Sequence, residues 1–152
     1  MHTYARAMLA VVLAGAIFAA SPGGKAEYVG GTRPDIPEGC AGKIQAIDAQ
    51  YFVFYSGKAS LRVPYEKISM LEYGQKVDRR IGMAVVVSPL FMLSKKRAHF
   101  LTVSYTDEDG RGQALVFRVD KNAVRSILVS LEARTGLKVQ YQDDEARRAG
   151  KG

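Results

Sequence analysis

Apolar and polar positions alternate along much of this chain with a period near two, and switch to a helical period only once, close to the end. Tyr51-Phe52-Val53-Phe54-Tyr55 is aromatic or β-branched throughout, which predicts a strand buried on both sides. Ser56-Gly57-Lys58 predicts a turn, after which Leu61 and Val63 alternate with Arg62 until Pro64 ends the next strand. Ile44–Asp48 and Ile68–Tyr73 are further strand candidates. The cleanest alternation sets Leu101, Val103 and Tyr105 against Thr102 and Ser104. Asp107-Glu108-Asp109-Gly110 then predicts a hairpin loop, and Leu115, Phe117 and Val119 form the apolar face of the returning strand, opposite Arg118. Beyond Asp120, a good N-cap, Val124, Ile127, Leu128 and Leu131 follow at helical spacing and make one apolar stripe. Gly136 supplies the residue after the helix, and Leu137, Val139 and Tyr141 predict a short final strand. The charged tail, residues 142–152, is expected to be disordered.

Two stretches have a different texture. Residues 1–6 carry Arg6 and no acid, and Ala7–Ala20 is an uncharged run of 14 residues broken by Ser21-Pro22-Gly23-Gly24. With Gly24-Lys25-Ala26 offering small residues at the positions a signal peptidase reads, residues 1–26 have the order of a secretory signal. As a helix the run reaches about 21 Å at 1.5 Å per residue, short of a ~30 Å hydrocarbon core. An uncleaved anchor at residues 7–20, holding the chain to the inner membrane, is the alternative. Residues 27–41 hold Gly30, Gly31, Pro34, Pro37 and Gly39, which predicts an extended, flexible linker before a domain over residues 42–141.

Strands followed by one terminal helix place the chain in the α+β class. The expected architecture is a strongly curved antiparallel sheet, or partly open barrel, closed by that one C-terminal helix and preceded by the signal segment. The order resembles the pleckstrin-homology-like superfold in its GRAM-type bacterial versions. The resemblance rests on the hairpin from Phe52 to Val63, on Val63-Pro64-Tyr65-Glu66-Lys67-Ile68 and on the helix after Asp120. Leu131-Glu132-Ala133-Arg134-Thr135-Gly136-Leu137-Lys138-Val139-Gln140-Tyr141 also looks like the ending of short exported bacterial proteins of unknown function. The chain departs from the eukaryotic members of the superfold at two points. Its first hairpin turn, Ala49-Gln50, lacks their basic cluster, and its last helix lacks their tryptophan, so the resemblance does not imply phosphoinositide binding.

Composition narrows the function. Apolar residues make up 47% and charged residues 24%, as in a globular domain. Taking away residues 1–26 removes Arg6 and Lys25 and no acid, leaving 20 of the 22 basic residues against 15 acids. Such a surplus favours anionic partners. Cys40 is the one cysteine, so no internal disulfide forms, and its Pro-Glu-Gly approach is not that of a lipoprotein acylation site. After the leader His99 is the one histidine; it opens a strand beside Phe100, a place that suits a capping or structural role. One histidine and one cysteine exclude zinc sites of the usual type. Gly30-Gly31 and Gly110-Arg111-Gly112 match no phosphate-loop or dinucleotide pattern, and Asp107-Glu108-Asp109 lacks the later acid of a calcium loop. No catalytic residue, cofactor, metal, small-molecule substrate or nucleic-acid partner is therefore expected.

The most unusual segment is Arg79-Arg80, then Ile81–Ser94 with 14 residues and no charge, then Lys95-Lys96-Arg97. Gly82 and Pro89 argue against one straight helix. Three readings are open: a hairpin or short helix that dips into an anionic interface, core segments with solvated basic ends, or a patch that docks on another protein. The sequence therefore predicts a non-enzymatic envelope binding module, periplasmic or secreted. It would contact an anionic lipid surface or an envelope protein through Arg79, Arg80, Leu90, Phe91, Lys95, Lys96 and Arg97. The alternative is a structural or assembly protein that takes a peptide in a groove beside the final helix. If the segment meets a membrane, replacing Lys95, Lys96 and Arg97 with Gln will weaken vesicle binding at low salt, and Phe91→Ser will weaken it at every salt concentration. Vesicle flotation across a salt series reads both effects, and a Phe91→Ser variant that unfolds beside a wild type that never floats would assign the segment to the core.

Overall fold

The computed structural model describes residues 23–57, 59–76 and 98–151, together with the backbone of Val86–Val87. Strands β1 (Gly23–Gly31), β2 (Cys40–Gln45), β3 (Tyr51–Ser56) and β4 (Ser60–Pro64) lead through a 3₁₀ turn at Tyr65–Lys67 into β5 (Ile68–Gly74). A two-residue strand β6 (Val86–Val87), then β7 (His99–Thr106) and β8 (Gly112–Val119), precede helix α1 (Val124–Thr135). Strand β9 (Gln140–Tyr141) and helix α2 (Asp144–Lys151) complete the described elements. The spatial order is β4-β3-β2-β1-β8-β7-β5-β9, with β6 added to β1 opposite Gly30 and Gly31.

This arrangement corrects the expected architecture. The sheet is open rather than a barrel, ending on β4 and β9, and it is mixed: β9 runs parallel to β5 while the other pairs are antiparallel. Two short helices follow it, not one. The reason lies after α1. Gly136 takes a left-handed φ of 73°, which ends the helix and turns the chain back. Gln140 and Tyr141 then pair with Glu72 and Tyr73. The charged tail expected to be disordered forms α2 because its two small residues at helical spacing, Ala146 and Gly150, are buried against the body. A Cβ on Gly150 would come within 2.6 Å of the Tyr141 ring, so glycine is what allows the approach.

The expected linker also differs. Residues 27–31 belong to β1, which lies in the interior of the sheet between β2 and β8, and only residues 32–39 form a loop. The glycines are there for close packing. A Cβ on Gly31 would sit 2.3 Å from the Ala114 carbonyl oxygen. The leader over residues 1–22 lies outside the described residues, and its expected end at Ala26 falls inside β1. Lys25 accepts a backbone hydrogen bond from Asp120 at 3.0 Å, and Ala26 is buried. Asp120 itself caps the turn before α1, its carboxylate accepting from the Asn122 amide at 2.9 Å, while Ala123 holds the N-cap position of the helix.

One face of the sheet carries the core. Phe117 on β8 touches Tyr28 on β1 and both Phe52 and Phe54 on β3, with centroids 5.8, 5.7 and 5.0 Å away. Contact between β8 and β3, with β1 and β2 between them, shows that the sheet bends across its width. Val124, Ile127, Leu128 and Leu131 of α1 join this cluster and are all buried. A smaller apolar cluster of Val29, Phe100, Ala114 and Val116 lies on the other face. Leu128 is only 2% exposed, so Leu128→Ala should cost ~2–5 kcal/mol of stability. Chemical denaturation measures it; an unchanged midpoint would mean that α1 contributes nothing to the core.

Candidate anion-binding groove

The residues expected to make contacts, Arg79, Arg80, Leu90, Phe91, Lys95, Lys96 and Arg97, lie outside the described residues. The described residues instead bring a different set together. At one end of the sheet, β1, β2, β8, the start of β7 and the turn into α1 surround a shallow groove of about 610 Å³. Alternation supplies its charge. On β1, Ala26 and Tyr28 point into the core, which leaves Lys25 and Glu27 on the outer face. On β2, Ile44 points inward and Lys43 outward. On β8, Phe117 and Val119 point inward and Arg118 outward.

Register then decides which charges meet. Glu27 stands opposite Arg118, and the two form an ion pair. Lys25 stands opposite Lys43, both exposed, and neither has a carboxylate partner among the described residues. Like charges directly opposite on neighbouring strands disfavour folding by a fraction of a kcal/mol up to about 1. Lys121 adds another cation to the rim, and Asp120 is the second acid there. Four cations therefore face two acids, one of which is already paired.

His99 borders the groove at the start of β7, but its ring lies on the core-facing side of the sheet, away from Lys25 and Lys43. It is the first residue of β7, half-buried, in phase with inward-facing Leu101 and two residues before it. Its Nδ1 lies 2.5 Å from the Tyr73 hydroxyl on β5, and the rings stack at 6.0 Å. Burial, and then the positive charge of Lys121, hold its pKa below the usual value, while Asp120 opposes them. Burial also pushes the Tyr73 hydroxyl up to about 12, with Tyr141 adding to the effect. Nε2 has no protein partner among the described residues. Sequence reasoning gave His99 a structural role; the one available signal was its phase with Leu101, Val103 and Tyr105.

A second groove, about 560 Å³, lies beside the C-terminal end of α1 and is lined by Tyr65, Glu66 and Arg134 among others. The Tyr65 hydroxyl is buried without a hydrogen-bond partner among the described residues. Cys40 is half-buried, with its thiol 3.0 Å from the Ser56 hydroxyl. In the acidic hairpin, Asp107 accepts from the Arg111 amide at 2.8 Å and from Gln113 Nε2 at 2.7 Å, so that carboxylate serves the turn. Among the described residues no group of three His, Cys, Asp or Glu side chains is placed to hold a metal ion. Among them, too, no helix is long and apolar enough to cross a membrane. No protein-family model matches the chain, and no curated protein is similar to it.

The depressed His99 pKa makes stability depend on pH with a definite sign. As pH falls below about 6.5, the unfolded chain takes up a proton that folded His99 resists, so stability falls with it. Melting temperatures of wild type and His99→Gln across this range should diverge, the variant showing the weaker pH dependence. Parallel curves would show that His99 titrates alike in both states.

Proposed function

We propose that the chain is a non-enzymatic binding module of the cell envelope that docks an anionic surface in the groove at Lys25, Lys43 and Lys121. The observation that carries this reading is the uncompensated lysine pair. Lys25 and Lys43 face each other across two strands, while the neighbouring pair, Glu27 and Arg118, is charge-balanced. An anion between the lysines relieves their repulsion, so the groove gains on binding what it loses when empty. Small walls at Ala41, Gly42 and Ala98 leave the approach open. Export is part of the proposal: residues 1–20 have the charge-then-apolar order of an export signal, and removal ahead of Gly23 would leave β1 whole.

A second reading places a peptide in the groove beside α1. What favours it is the buried Tyr65 hydroxyl, which lacks a partner among the described residues and lines the same groove as Arg134.

Co-sedimentation with vesicles containing phosphatidylglycerol, against neutral vesicles, tests the first reading. Each basic residue near an anionic surface contributes about 1 kcal/mol, so Lys25→Gln with Lys43→Gln should weaken binding roughly 30-fold at low salt and much less at high salt. A double variant that binds like the wild type would remove the groove from the interface.

A further inference from the structure

We propose that the outer face of β1, β2 and β3 lies against an anionic lipid bilayer, with Tyr55 as the side chain that enters its headgroup layer beside Lys43 and Lys25. The inference rests on the anionic reading above and adds the partner and a contact residue. Phe52 and Phe54 of β3 point into the core, so Tyr55 points to the outer face. Register sets Tyr55 directly opposite Lys43, and Lys43 directly opposite Lys25. Directly opposed residues share a face, so these side chains stand in one transverse row. Neighbouring strands lie about 4.8 Å apart, which makes the row about 10 Å long. All of its members are exposed.

Tyr51, on the same face of β3, shows how a tyrosine is covered here. It is half-buried, the Arg62 guanidinium lies 4.7 Å from its ring centroid, and Arg62 is paired in turn with Asp48 at 3.2 Å. Tyr55 is 44% exposed and has no such cover among the described residues. A dissolved anion would satisfy the lysines and leave that ring in water. An anionic bilayer meets both: its phosphates face the lysines, and the boundary beneath them takes a phenol ring while the hydroxyl stays wet. Single-stranded nucleic acid also joins charge to stacking, but it uses a succession of aromatic side chains, and this face leaves one ring open among the described residues. The far side of the molecule serves as a reference. Val129 is exposed on α1, which packs on the core face, so a bilayer against the outer face leaves Val129 in water.

The chain has no tryptophan, so Tyr55→Trp and Val129→Trp each install a single fluorescent reporter. Each variant of the full chain is titrated with phosphatidylglycerol vesicles and with neutral phosphatidylcholine vesicles. Emission of Tyr55→Trp should move to the blue with the anionic vesicles alone, and that of Val129→Trp should stay where it is. Tyr55→Ser should weaken vesicle binding about tenfold at low and high salt alike, because burial of a ring is not screened, whereas the lysine substitutions act mainly at low salt. Tyr55→Trp keeps an aromatic residue at an exposed strand position, so its reading stands even where Tyr55→Ser fails to fold. Unmoved emission of Tyr55→Trp on vesicles whose binding still needs Lys25 and Lys43 would overturn the placement of Tyr55 and leave the anionic groove standing. A blue shift of Val129→Trp in its place would put the bilayer on the helix side and overturn the choice of face. Tighter binding to single-stranded oligothymidylate than to vesicles would overturn the lipid and assign the row to nucleic acid. No binding to vesicles at all would overturn both this inference and the anionic reading beneath it.

Discussion

Pairing of β1 with β8 is the constraint on which the rest of the molecule depends. The chain builds two antiparallel runs, β1 to β4 and β5 with β7 and β8, and this ladder is what makes them one sheet. It also places Phe117 between Tyr28 and the phenylalanines of β3, so the joint and the aromatic core form together. The register of the joint matters as much as its existence. A shift by one residue would exchange the two faces of β1, sending Lys25 and Glu27 toward the core and Ala26 and Tyr28 to water. A bulge between Tyr28 and Gly30 shifts the register of this ladder by one residue, and Val29, the extra residue, lies in the second apolar cluster.

The groove is a by-product of the same joint. Charges that alternate along each strand are harmless singly; pairing decides their company. Glu27 and Arg118 meet as opposites, and Lys25 and Lys43 meet as likes. The fold thus carries a small electrostatic penalty next to a place where an identical construction is balanced. Such a local departure from best stability is the physical content of the proposed function.

Local chemistry made several elements legible in the sequence. Tyr51 to Phe54, the alternation from Leu101 to Tyr105 and its return through Phe117 each carry a strand's pattern, and Val124 to Leu131 carries a helix's stripe. What was not legible depends on distant partners. Gly30 and Gly31 look like linker residues until β8 passes close to them. Ala146 and Gly150 are hidden among charged neighbours, and only the surface formed by Tyr73 and Tyr141 shows why they line up. The sheet is mixed because β9 joins parallel to β5, which no short-range signal announces. The site was illegible for the same reason: Lys25 and Lys43 become neighbours only through register.

The two outermost strands of the sheet are also short ones, five residues in β4 and two in β9. β4 closes on Pro64, which has no N–H to offer, and carries the charged Arg62 at its centre. β9 leaves little ladder beyond Glu72 and Tyr73, and α2 packs alongside β5. A second copy approaching edge-on meets a truncated template at either end, so growth of the sheet from one molecule into the next is disfavoured. A long open edge at either border would be well placed to template such growth; these clipped borders leave little for it to start from.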